Sequence, residues 1–190
     1  MRVPSRMLHS LLKETLLDFK KKFSEPISYP VLSGCDDYSD RLSKTNLTGD
    51  KFKMTTLVSA DFGDAFTETS IPKLTESISK IGHLLGYKND HIEIMMDLVE
   101  LVFSNSYFFT PYGLCRQTKG MPMGDFSSRE SLDVVLALSE FEILKTSIEL
   151  ETDIKLYARL VDDISVILQN KFALTKDDKA ISYDAFKYPN

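Results

Sequence analysis

The stretch Tyr157-Ala158-Arg159-Leu160-Val161-Asp162-Asp163-Ile164-Ser165-Val166 sets two acids between two β-rich runs, 154–161 and 164–168. Branched and aromatic residues favour strands, so the pair reads as the tip of a β-hairpin. Adjacent carboxylates resist joint ionisation unless a cation offsets them. Upstream, Thr55-Thr56-Leu57-Val58-Ser59-Ala60-Asp61 is another short β-rich run that ends on a carboxylate. Strand ends and hairpin tips share one edge of a sheet, so Asp61, Asp162 and Asp163 are expected to converge there. Hard oxygen donors of this kind suit Mg²⁺, usually held by one or two carboxylates plus substrate phosphates. Two such ions can clamp the attacking and leaving oxygens of an in-line phosphoryl transfer. A plainer account stays open, because Asp-Asp is also ordinary turn chemistry.

Between these runs the pattern is mostly helical. Leu8, Leu11, Leu12, Leu16, Leu17 and Phe19 recur at helical spacing over 5–23, and Lys20-Lys21-Lys22 complements the C-terminal dipole of that helix. The segment 24–53, rich in Pro, Gly and Ser, reads as irregular, with one helical turn at 37–42. Ser70-Ile71-Pro72 is a cap with an early helical proline, opening a helix to Leu85 that Gly86 stops. The next helix starts near Asn89 and is apolar enough (Ile92, Ile94, Met95, Met96, Val99, Leu101, Val102) to be expected buried. Pro111-Tyr112-Gly113 turns a hairpin between 107–110 and 114–117. Gly120-Met121-Pro122-Met123-Gly124-Asp125 then leads into a long helix over 127–148. Such a loop lets backbone approach a ligand, although loops like it also simply join elements. The expected class is α+β, a small antiparallel sheet packed on helices.

Composition narrows the classes. The chain has 190 residues, 43% apolar, with 12 Phe and 8 Tyr to fill a core, which excludes a disordered chain. No apolar run approaches a membrane span, and the first residues lack a signal-peptide block. Cys35 and Cys115 read as reduced thiols of an intracellular protein. With only three His, a structural zinc site is not expected. The net charge of −5 argues against a stand-alone nucleic-acid binder.

In combination these segments resemble a family. Ala60-Asp61-Phe62-Gly63-Asp64-Ala65-Phe66 is similar to the first palm motif of reverse transcriptases, a strand-end Asp with an aromatic five positions on. Gln117-Thr118-Lys119-Gly120-Met121-Pro122-Met123-Gly124-Asp125-Phe126-Ser127-Ser128 resembles the second motif, and 157–166 the third. Met123-Gly124 and the Arg-x-Val-Asp-Asp form look most like Penelope-like retroelements. The resemblance spans 57–168. It implies the palm of a right-hand RNA-directed DNA polymerase, a nucleotidyltransferase using two Mg²⁺ ions, with Mn²⁺ as an alternative. Asp61 and Asp162 would be the principal metal ligands, with Asp163 supporting and the Phe62 carbonyl available as a backbone ligand. Phe66 would lie beneath the incoming sugar and exclude a 2′-hydroxyl, while Gln117, Gly120, Met123 and Gly124 would line the nucleotide and template side. The implied partners are an RNA template, a DNA primer and a dNTP. Arg159 and Lys119, basic and placed for phosphates, read on their own as exposed surface charges.

The departures from the family pattern are specific. Leu160 stands where the family often has an aromatic, Asp125-Phe126 replaces a frequent Ser-Pro, and two extra residues lie between Phe66 and Ile71-Pro72. No basic fingers motif is found in 1–54, expected to be partial fingers or a connector. A palm is expected over 55–170, and the polar tail 171–190 is too short for a thumb. The expectation is a truncated palm, weak or inactive alone unless fingers and thumb act in trans. A catalytically silent remnant serving as a binding or structural module is the alternative.

Overall fold

The computed structural model describes residues 2–23, 31–45, 55–122, 124–149 and 154–169. Along the chain these form α1 (Arg2–Lys22), α2 (Cys35–Lys44), β1 (Thr55–Asp61), α3 (Ala65–Glu68), α4 (Ile71–Leu85) and α5 (Asn89–Phe103). There follow β2 (Tyr107–Thr110), β3 (Gly113–Arg116), α6 (Ser128–Glu149), β4 (Ile154–Leu160) and β5 (Asp163–Gln169). Met123, the tail 170–190 and the linking stretches 24–30 and 46–54 lie outside the described residues.

β1, β5 and β4 form an antiparallel sheet in that order, and β2 and β3 a separate hairpin. Alternation along the strands gives the sheet two different faces. Ile164 and Val166 of β5, with Tyr157 of β4, pack with Val58 and Ala60 of β1 against Leu144 of α6. The opposite face carries Leu156, Ala158 and Ile167, covered by Leu32 and Tyr38. Tyr38 Oη lies 2.8 Å from Ser165 Oγ, which fixes α2 on that face. Residues 31–32 extend the β4 edge, with Leu32 N–H donating to the Arg159 carbonyl at 2.7 Å.

α6 sits at the centre. Every residue from Ser131 to Ala137 is buried, because α1 and α4 pack on one side of the helix and the sheet on the other. Leu8 and Leu12 of α1, Ile78 and Ile81 of α4, and Met95 and Val99 of α5 join Leu132 and Leu136 in the main core. The boundaries of α4 follow from its caps: Ser70 Oγ accepts from Lys73 N–H at 3.3 Å, and Gly86 closes the helix at φ 81°.

The structure corrects several expectations. The β4–β5 turn is Val161-Asp162, and Asp163 is the first residue of β5 instead of part of the tip. α2 is a full helix of 10 residues and not a single turn, supported by the Arg41–Asp37 fork at 2.8 and 3.0 Å. α5 is only half buried: α1 and α4 cover one face, leaving Ile94 and Leu101 exposed. The short α3 after β1 was not anticipated. Among the described residues, no helix is long and apolar enough to cross a membrane.

Candidate functional site

Sheet register assembles the acids. Asp61, last in β1, pairs directly with Asp163, first in β5, and Phe62 N–H donates to the Asp162 carbonyl at 3.0 Å. Directly opposed residues project from the same sheet face with Cβ atoms about 4.5–5.5 Å apart. Asp61 and Asp163 are exposed there and Asp162 is partly so. Like charges directly opposite destabilise a sheet, so a cation between them would relieve a standing repulsion. Among the described residues, no group of three or more His, Cys, Asp or Glu side chains is gathered to hold a metal alone. Two carboxylates at a strand edge are still the donor set that suits Mg²⁺ completed by substrate oxygens. The Phe62 carbonyl, expected as a backbone ligand, accepts from Ala65 N–H at 3.3 Å.

The glycine loop meets α3, just after β1, through a close backbone contact. Met121 N–H donates to the Phe66 carbonyl at 2.6 Å, and Gly120 lies over the same short helix at φ 76°. A Cβ on Gly120 would fall 2.7 Å from the Phe66 carbonyl oxygen and 2.8 Å from Thr67 Cα. Phe66 is half buried against the main core. Gln117 is tied down locally: its N–H donates to the Ser106 carbonyl at 2.9 Å and its Nε2 to the Lys119 carbonyl at 3.0 Å. Gln117 and Gly120 share a cavity of about 340 Å³ with Ser70, Arg116 and Lys119. Lys119 is exposed and paired with Glu68 at 2.6 Å, as expected of a surface charge. Gly124 is exposed at φ 95°. Asp125, which departs from the family pattern, has a structural task, its Oδ1 accepting from Ser5 Oγ of α1 and from Ser127 N–H.

Arg159 corrects the expectation most sharply. It is fully buried, on the α6 face of the sheet. Nε donates to Glu140 Oε1 at 2.7 Å and Nη2 to Glu140 Oε2 at 3.2 Å. Nη1 donates to Asp133 Oδ1 at 2.7 Å and to the Val161 carbonyl at 2.5 Å. Burial opposes the charge on Arg159, and Glu140 and Asp133 more than offset it, so its pKa ends above the ordinary arginine value. Burial pushes the Glu140 carboxyl upward, against the pull of Arg159. Burial, with Glu140 beside it, also raises Tyr157, whose hydroxyl donates to Glu140 Oε1 at 3.2 Å. A sequence signal for this cluster existed: acids at 133 and 140 share one face of an apolar helix, opposite one basic residue in an apolar strand.

No protein-family model matches the chain, and neither does any curated protein. Solved structures do match. Apo telomerase from Candida tropicalis aligns over 88% of this chain and 32% of its own length, at TM-score 0.66 and 16% identity. Telomerase from Candida albicans, in complex with the TWJ fragment of telomeric RNA, aligns over 86% of this chain and 31% of its own, at TM-score 0.63 and 14% identity. The Candida tropicalis enzyme with the same kind of RNA fragment covers 94% of this chain at TM-score 0.59 and 20% identity. The chain spans about a third of these proteins and has a reverse-transcriptase-like fold.

Proposed function

We propose that this chain is the palm of an RNA-directed DNA polymerase of the Penelope-like retroelement type. In this reading it adds deoxynucleotides to a primer 3′-hydroxyl on an RNA template. The observation that carries the proposal is the Asp61–Asp163 register pair, with Asp162 beside it, brought together at one end of the sheet from strands about 100 residues apart in sequence. Asp61, Asp162 and Asp163 would hold two Mg²⁺ ions, which when bound would supply Lewis-acid activation and charge neutralisation at the reacting phosphate. The chain's own residues do the rest. Phe66 presents an aromatic wall beside the glycine loop and excludes a 2′-hydroxyl. Gly120 lets the loop backbone lie against the Phe66–Thr67 backbone, leaving Gln117 and Gly124 toward nucleotide and template. Met123, outside the described residues, would belong with them.

The test is primer extension on an RNA template with Mg²⁺, using the chain supplied with fingers and thumb segments. Asp162→Asn nearly preserves shape while removing a ligand's charge, and should abolish nucleotide addition. Phe66→Val should leave deoxynucleotide addition measurable and admit ribonucleotides. Full activity in Asp162→Asn overturns the catalytic assignment. An inert completed parent favours the silent binding or structural module.

A further inference from the structure

Val161 is an awkward occupant of its turn. Its φ of 61° lies in the left-handed region, where branched side chains are outliers. Such conformations persist where the surroundings over-determine them, and they cluster at functional sites. One side chain does this here: Arg159 Nη1 donates to the Val161 carbonyl at 2.5 Å, while Asp133 and Glu140 of α6 fix the same guanidinium. The next residue is Asp162, whose own carbonyl accepts from Phe62 N–H. A buried ion cluster is in itself weak grounds for stability, since apolar residues of similar volume often serve as well. What apolar residues cannot supply is a donor to the Val161 carbonyl. Lysine cannot reproduce the cluster either, because one ammonium lacks the planar fork that spans two carboxylates and a carbonyl.

We infer that Arg159 is a positioning residue, whose guanidinium couples α6 to the Val161-Asp162 turn and so fixes the direction of the Asp162 carboxylate. This rests on the reading of Asp162 as a divalent-cation ligand. It makes the strained turn and the buried charge two halves of one device, with Val161 needing the donor that Arg159 provides.

The experiment is a double-mutant cycle on Mn²⁺ binding by the 190-residue chain, read by electron paramagnetic resonance, with a thermal melt of every variant. Asp162→Asn defines the site and should weaken the strongest Mn²⁺ binding at least about tenfold, in line with loss of a ligand. R159K should weaken it by roughly 10–100-fold at temperatures where the variant is folded, the usual loss when a ligand's support is removed. In the V161G background the turn no longer needs holding, and R159K should cost less than about threefold. Should R159K not fold, the apolar replacement D133L/E140L/R159M takes its place in the cycle, with the same expectation. An equal loss in both backgrounds, or no loss, overturns the positioning role while leaving the metal site intact. If Asp162→Asn does not change Mn²⁺ binding, the cation-ligand reading itself fails, and the positioning role with it.

Discussion

Replacing Gly120 by alanine probes the contact between the glycine loop and the Phe66 turn, and three glycines supply an internal scale. Gly63 has open space around its missing Cβ and no positive φ, so Gly63→Ala should change stability little. Gly86 also has open space but sits at φ 81°. A side chain there meets the left-handed penalty of about 1–2 kcal/mol, partly offset by about 0.4–1 kcal/mol from a stiffer unfolded chain. Gly120 combines a φ of 76° with three backbone atoms at 2.7–2.8 Å from the would-be Cβ. Backbone cannot swing aside as a side-chain end does, so overpacking adds about 1–3 kcal/mol. The total for Gly120→Ala is roughly 1–5 kcal/mol, or about 2–20 °C in melting temperature for a chain of this size. Thermal melts of the three variants beside the parent provide the check. A Gly120→Ala shift no larger than that of Gly86→Ala would refute the close backbone approach of the loop to the Phe66 turn.

Further outcomes are expected. Asp61→Asn removes a like-charge cross-strand pair, so without divalent ions it should raise stability by about 0.2–1 kcal/mol. The same variant should lose any stabilisation that added Mg²⁺ gives the parent, both effects being visible in melts with and without the ion. Burial, with the hydrogen bond to Asp18, pushes the Tyr87 hydroxyl up to about 12. Its contribution is therefore complete below the ordinary tyrosine value and lost as pH climbs toward 12, and alkaline melts of Tyr87→Phe should lack that decline. The Arg41 hydrogen bonds, together with those from Ser33, hold Asp37 down at about 2. The stabilisation from Asp37 is thus present above the ordinary carboxylate value and disappears as pH falls through about 2, a loss that Asp37→Asn should abolish in acid circular-dichroism titrations. Leu12→Ala, at a fully buried core position, should cost about 2–5 kcal/mol by cavity formation, measured by denaturant unfolding.

Local chemistry made much of the architecture legible. The ends of α4 could be read because a serine cap and a stop glycine act on their nearest neighbours. The β2–β3 hairpin was marked by Pro111. The pairing of Asp61 with Asp163 followed from placing two acid-ended strands in one sheet. What stayed hidden depends on distant partners. The position of Asp163 within β5 could not be read, because the turn puts a valine where branched residues are disfavoured. That placement makes sense only with Arg159 beneath it. Arg159 itself looked like a surface charge because the acids that bury it lie 19 and 26 residues away on α6. Ile94 and Leu101 of α5 looked like core because their hydrophobicity is visible in sequence while the one-sided packing of their helix is not.

The strand order β1-β5-β4 also has a consequence for how the protein acquires its shape. β5 is the middle strand, yet it is the last described element to be synthesised. β4 can pair with it at once through a two-residue turn, whereas β1 must wait across about 100 intervening residues before it finds its neighbour, and such long-range closure is intrinsically slow. During that interval the α1–α4–α5 cluster can gather its leucines and isoleucines. β1 meanwhile presents two unpaired edges, a state open to pairing with other chains. The carboxylate pair comes into existence only with that final closure, so correct pairing of the sheet and assembly of the acids are a single event in folding.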